Sequence, residues 1–181
     1  MAVLNEWQKI SRVFPGQPFG DGLNGVYDSA TIPTIIKDSC YGTSGSTTFH
    51  TTGATFANGD LLKIIQMRGA GAGQWEINRV LSGGGTTTLT LQKTLYNTYT
   101  DTGVGTNQAQ AIKMPRYTNI IVEAGTWLGP NWNSDIGGMF PFASNGTLNI
   151  LGSLVLNGAN GAIHDLNPGT GVNTVGGGFY G

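Results

Sequence analysis

The stretch LLKIIQMRGAGAGQWEINRV, Leu61 to Val80, decides the fold class. Gly69, Gly71 and Gly73 alternate with alanines, directly after Arg68. A phosphate-binding loop of the Walker type needs a lysine after its glycines and a helix behind them. A dinucleotide-binding loop needs glycines that open a helix. Here no lysine follows, and QWEINRV repeats with period two rather than 3.6. The glycines therefore read as the tip of a β-hairpin, where positive φ is needed and only glycine takes it freely. Arg68 is left as a local ion-pair or anion partner that nothing in the pattern demands.

The same rhythm extends outward. TTFHTTGATFANGDLLKIIQM reads as strand, turn at Asn58–Asp60, and apolar strand. In GQWEINRVLS the alternation puts Trp75, Ile77 and Val80 on one side, with Glu76 and Asn78 on the other. In GGGTTTLTLQKTL, Leu89 and Leu91 share a face opposite Thr88, Thr90 and Gln92. Short strands joined by tight turns predict a small antiparallel barrel or sandwich over 26–115.

Composition agrees with this class. Glycine is 30 of 181 residues, more than twice its usual ~7% share, but without a period of three, so collagen is excluded. With 39% hydrophobic residues and a net charge of -1, the chain is not of disordered composition. The nine Lys and Arg are scattered, so no basic stripe follows a nucleic-acid backbone. The N-terminal MAVLNEWQKISRVF lacks the pattern of a secretory signal, and no apolar run is long enough for a membrane span. The lone Cys40 forms no internal disulfide.

One helix is predicted, at the N-terminus. Val3, Trp7, Ile10 and Phe14 are spaced for one helical face, and Pro15 ends it. A helix this short is marginal alone, so its apolar face is expected to pack, either on its own domain or, with those four as docking residues, on a partner or on copies of itself. PGQPFGDGLNG then reads as a linker, giving a first segment of 1–25. Within it Asp21 and Asn24 are the right residue types for calcium but lack EF-hand spacing, and no metal is assigned.

After Pro115 the rhythm changes. YTNIIVEAGTWLGP and GTLNILGSLVLNG are similar strand–turn–strand units, offset by 29 residues when Thr118 is aligned with Thr147. Such repeats predict stacked coils, here the start of a parallel β-helix over 116–181. Barely two coils fit, which implies completion by further chain or by neighbouring copies.

Catalytic signatures are absent. GTSGS (Gly42–Ser46) misplaces the glycine of a nucleophile elbow. His50 reads as a surface or packing residue, and His164 with Asp165 sits in a loop. Glu123, Asp135 and Asp165 are the acids available for two-carboxylate glycoside hydrolysis, too few to single out a pair. No catalytic residue and no cofactor is assigned. The aromatic-rich last third either fills and caps the core of the stacked coils, the stronger reading, or offers Trp127, Trp132 and Tyr180 as glycan-binding candidates.

IIQMRGAGAGQWE, LYNTYTDTG, QAQAIKMPRYTNIIVEAGTWL, NWNSDIGGMF and GTLNILGSLVLNG together resemble a module of phage tail-fibre-like and bacterial surface proteins. The resemblance runs from about Gly59 to Gly181. Where that group continues with GxGYRGG this chain has GGGFYG, so no distal binding tip is in view. The resemblance implies an extended assembly of a β-domain and a β-helix. Together with the docking helix, it leads to the expectation of a structural virion component, not an enzyme. The expected component is the N-terminal part of a homotrimeric tail fibre or receptor-binding protein, attached to tail or baseplate proteins and projecting towards host surface glycan. The alternative is a bacterial cell-surface adhesin or glycan-binding module. A third reading, a polysaccharide depolymerase, needs paired acids in a groove.

Overall fold

A computed structural model describes residues 21–53, 55–103, 106–124, 126–128 and 136–155. The described residues are all-β. Strand β1 (Val26–Ser29) is followed by β2 (Lys37–Tyr41), β3 (Thr48–Thr51), β4 (Leu61–Arg68), β5 (Trp75–Ser82), β6 (Thr88–Leu91) and β7 (Gln108–Lys113). Strands β2 to β7 close into an antiparallel barrel in the order β2-β3-β6-β5-β4-β7. Closure removes the free strand edges that an open sheet would expose.

The hairpin read from the sequence joins β4 and β5, with Leu61 opposite Arg79 and Ile65 opposite Trp75. Gly69, Gly71 and Gly73 have φ of 89°, 81° and 86°. Backbone bonds Ala72 N–H to Gly69 O and Gln74 N–H to Gly71 O, 3.0 and 2.9 Å, fold the tip. A strand follows the glycines, so no helix N-terminus faces them.

The alternation on β5 holds for Trp75 and Ile77 against Glu76 and Asn78, and only Val80 lies on the other face from the one read for it. Ile64 lies opposite Glu76, and Leu62 opposite Asn78. Directly opposed residues share a face, and Leu62, Ile64 and Val80 lie in the barrel core with Phe49, Leu89, Leu91 and Ala111. Glu76 and Asn78 therefore point inward beside Val80. Trp75 and Ile77 point outward, into a second cluster with Leu61, Met114 and Ala143. The alternation alone does not tell which face is the interior, because this wall is buried on both faces. Leu89 and Leu91 do face the core, with exposed Thr88 and Thr90 opposite, as expected.

The inward polar groups are satisfied by one segment. The Glu76 carboxylate accepts from Tyr96 N–H at 3.0 and 3.1 Å and from Asn97 N–H at 3.1 Å. Asn78 Nδ2 donates to Lys93 O at 2.9 Å. Gln66 Nε2 donates to Thr100 O at 2.9 Å, and its Oε1 accepts from Thr100 N–H at 2.8 Å. These three side chains hold the stretch 93–100 against the barrel. Buried polar groups without such partners would each cost about 1–3 kcal/mol.

Past the barrel come β8 (Arg116–Tyr117), β9 (Asn119–Val122), β10 (Thr126–Leu128), β11 (Ala143–Ser144), β12 (Leu148–Ile150) and β13 (Ser153–Val155). Every pairing here is parallel: β8 with β11, β9 with β12, β10 with β13. Arg116 meets Ala143, an offset of 27. Ile120 meets Leu148, an offset of 28, and Thr126 meets Ser153, again 27. The offset of 29 expected from Thr118 and Thr147 is thus one or two residues too long, because matching threonines aligned turn residues rather than paired strand positions. Tyr117, Ile120 and Val122 form the core of this part, flanked by Tyr27, Ile32, Phe140 and Phe142.

Strand β1 also pairs in parallel with β9, Val26 opposite Asn119 through Ser29 opposite Val122. The expected unit 26–115 therefore begins with a strand that belongs to the parallel sheet β1-β9-β12, and the barrel strands run from Lys37 to Lys113. The chain leaves the parallel sheet after β1, builds the barrel, and returns beside β1. Four residues, VYDS, carry no periodicity that could have disclosed a partner 93 positions away. The predicted helix over Val3–Phe14 lies outside the described residues, as does the whole stretch beyond β13.

Candidate functional site

The barrel and the parallel strands meet at a cavity of about 190 Å³, lined by Asn24, Asp60, Arg79, Lys113, Met114 and Arg116. Segment 21–25 is laced to 116–118 along its backbone. Asn24 N–H donates to Arg116 O, Arg116 N–H to Asn24 Oδ1, and Thr118 N–H to Gly25 O, each at 2.7 Å. The buried Arg116 guanidinium donates to Asp21 Oδ2 at 2.5 Å, and Arg79 reaches the same oxygen at 3.8 Å. Lys113 pairs with Asp60 at 2.8 Å. Burial, and then the nearby Arg116 charge, lower the Arg79 pKa, against the opposing pull of Asp21. These pairings account for Asp21 and Asn24, the two residues of calcium-ligand type. A carboxylate held by two guanidiniums is a poor cation ligand, since the positive charges it already faces repel a third.

Among the described residues, a second joint contains no ion pair between its two sides. Gln110, fully buried on the outer side of β7, accepts from Gly137 N–H at 2.8 Å and donates to Gly137 O at 3.1 Å. Lys37 Nζ donates to Ile136 O at 3.0 Å. Together with Ala143 against Leu61 and Ile77, these contacts lay the stretch 136–143 over the outside of β4, β5 and β7.

The other residues raised by the sequence fall as follows. Arg68 is exposed at the end of β4, where the register with β7 shifts after Gln66. The Cys40 thiol is fully buried, and burial pushes its pKa well up, so it is poorly nucleophilic. Burial, reinforced by the Glu76 charge, likewise pushes the Tyr99 phenol up, keeping it protonated. Glu123 has Asp28 as its neighbour. A hydrogen bond between the two carboxyls, and their repulsion, raise the Glu123 pKa. Two carboxyls in direct contact leave no room for a sugar between them, whereas two-carboxylate hydrolysis needs roughly 5–9 Å. Asp135, His164 and Asp165 lie outside the described residues.

Of the glycan candidates, Trp127 sits in β10 with Leu154 as its backbone partner. Trp132 and Tyr180 lie outside the described residues, as do Val3, Trp7, Ile10 and Phe14 of the docking face. Among the described residues, no group of three or more His, Cys, Asp or Glu is placed to hold a metal ion, and no helix is long and apolar enough to cross a membrane.

Sequence reasoning passed over one exposed feature. Tyr41 of β2 lies opposite His50 of β3. Their rings stack with centroids 4.6 Å apart and planes 14° from parallel. His50 Nδ1 lies 3.3 Å from Thr88 Oγ1, on the directly opposed residue of β6. Only the strand register brings the three together.

Comparison of the chain with protein families, with curated proteins and with solved structures finds no match.

Proposed function

We propose that the chain is a structural virion component, the N-terminal part of a phage tail fibre or receptor-binding protein. It attaches to the tail or baseplate and projects towards the host surface. In this reading β8 to β13 are two successive coils of a parallel β-helix, with β1 a strand of the coil before them. The helix around Val3, Trp7, Ile10 and Phe14 is the attachment element, and three copies of the chain assemble side by side.

The observation that carries the reading is the run of three parallel pairs, taken in chain order, at offsets of 27, 28 and 27 residues. A near-constant offset between successive parallel pairs is what a coiled stack produces, and such stacks serve as rigid, elongated stems. The test is mass in solution by light scattering, followed by virion assembly. About three times 18.9 kDa supports the trimeric stem. A Trp7→Ala, Phe14→Ala double variant that is incorporated normally into particles removes the attachment role.

The exposed Tyr41–His50 pair favours a second reading, a glycan-binding module of a bacterial surface protein, in which Trp127, Trp132 and Tyr180 would also serve. A monomeric mass, with glycan binding lost on Trp127→Ala or Trp132→Ala in an otherwise folded protein, supports that reading over the first.

A further inference from the structure

The outward side chains of the barrel fall into two groups. On β4, β5 and β7 they are covered, with Ile65, Ile77, Gln110 and Ile112 all buried. Tyr41, at the end of β2, and the outward residues of β3 and β6 form two cross-strand rows that stand open. Tyr41, His50 and Thr88 make the first row, and Thr48 opposite Thr90 makes the second. All three threonines are exposed, and Tyr41 is 51% exposed. The sequences of β3, TFHT, and β6, TLTL, contain no Asp, Glu, Lys or Arg.

We infer that this face binds neutral carbohydrate. A sugar ring presents polarised C–H bonds on one face and hydroxyls around its rim. An aromatic ring offers a flat apolar body with a negative face and a wet polar tip, which complements the C–H face. Threonine hydroxyls both donate and accept, as the rim requires. A charged polymer would find no opposite charge on β3 or β6. A protein partner would find little apolar area, since Tyr41 is the one large exposed hydrophobic residue on these three strands, and stable protein interfaces bury far more. The platform is also set before binding. His50 braces one face of Tyr41, and Thr88 holds His50, so less side-chain freedom is lost on contact.

The inference deepens the glycan-binding reading above and does not rest on the assembly reading, because the face lies on the barrel and not in the parallel strands. A mass measurement that rules out a trimer leaves it standing. The experiment is saturation-transfer NMR on the full chain with neutral hexasaccharides of glucose in α and β linkage, mannose, galactose and N-acetylglucosamine. Oligogalacturonate is the charged control. At least one neutral probe is expected to bind. Tyr41→Ala is expected to weaken it by about tenfold, the size of a lost aromatic contact, while Tyr41→Phe keeps the ring and the binding. Circular dichroism and continued protection of the Cys40 thiol verify the fold of each variant. The inference is overturned if no neutral probe binds, if only the charged control binds, or if Tyr41→Ala binds as well as the parent.

Discussion

The barrel and the parallel strands solve the same problem differently. The barrel closes on itself, and its core of Phe49, Leu62, Ile64, Leu89 and Leu91 is sealed from solvent. The parallel part has a core of its own around Ile120 and Val122, and among the described residues its strands form open sheets. Its outer strand β12 exposes Leu148 at 44% and Ile150 at 47%, and the adjoining Leu151 stands at 60%. Apolar side chains so exposed along one strand are unusual unless something covers them. Antiparallel closure completes a structure within one chain, whereas a parallel stack always leaves a last strand that needs a neighbour. The barrel is accordingly expected to behave as the independent, stable unit, and the parallel strands as the part whose stability depends on context.

The largest effects should come from the barrel core. Phe49→Ala is expected to cost about 3–5 kcal/mol, read from urea unfolding followed by tryptophan fluorescence. In the same variant the Cys40 thiol should react with a thiol reagent far faster than in the parent, since its protection is burial. A cost under about 1 kcal/mol, with Cys40 still protected, would mean that the barrel is not one cooperative core.

Next comes the joint between the two regions. Arg116→Met removes the guanidinium that grips Asp21, leaving Arg79 3.8 Å away as the carboxylate's partner. Because Asp21 is partly exposed, the loss should be about 2 kcal/mol, below the range for a fully buried pair. Amide hydrogen exchange gives the decisive contrast. Protection should fall in β1, β8 and β9 while β3, β5 and β6 keep theirs. Equal loss throughout would show that the two regions unfold as one.

At the hairpin, Gly71→Ala should cost roughly 1 kcal/mol or slightly more, since alanine is strained at the φ of 81° found there. Loosening should stay at the tip between β4 and β5, and a stabilised protein would contradict the turn geometry. This hairpin was also the most legible part of the sequence, because glycine spacing and strand alternation are local signals. The interior of the barrel was less legible. The alternation separates Trp75 and Ile77 from Glu76 and Asn78 but names neither side of β5 as the core. A carboxylate and an amide point inward because the 93–100 segment meets them with backbone donors and acceptors. The stacked offset was read to within two residues from its threonines. The partnership of β1 with β9 and the row Tyr41–His50–Thr88 were out of reach, since both depend on register between distant strands. The aromatic and docking residues singled out from the sequence lie almost wholly in segments outside the described residues, so the open barrel face was found by structure alone.

The smallest effect expected is a pH dependence confined to the parallel sheet. Glu123 follows β9, and Asp28 lies in β1, so their contact spans the pairing of those two strands. The hydrogen bond to Asp28, more than repulsion or burial, holds the Glu123 pKa above the usual carboxylate value. A raised folded-state pKa means that the protonated form is favoured by folding. The stabilisation is therefore fully present below the unfolded-state pKa and is lost as pH rises through the folded-state value. Above that value the Glu123 carboxyl has lost the proton that makes the bond to Asp28. Lowering the pH through the carboxylate range should tighten β1 against β9, seen as slower hydrogen exchange at the Glu123 amide, which donates to Ser29 O at 3.0 Å. After correction for intrinsic exchange rates, barrel amides should show no matching gain. Asp28→Asn removes one charge and keeps a hydrogen-bonding side chain, so it should abolish the pH response and leave the pairing at its low-pH strength. A response that survives the substitution would assign the titration to some other group, and with it the idea that this carboxyl pair tunes the seam between the first strand and its distant partner.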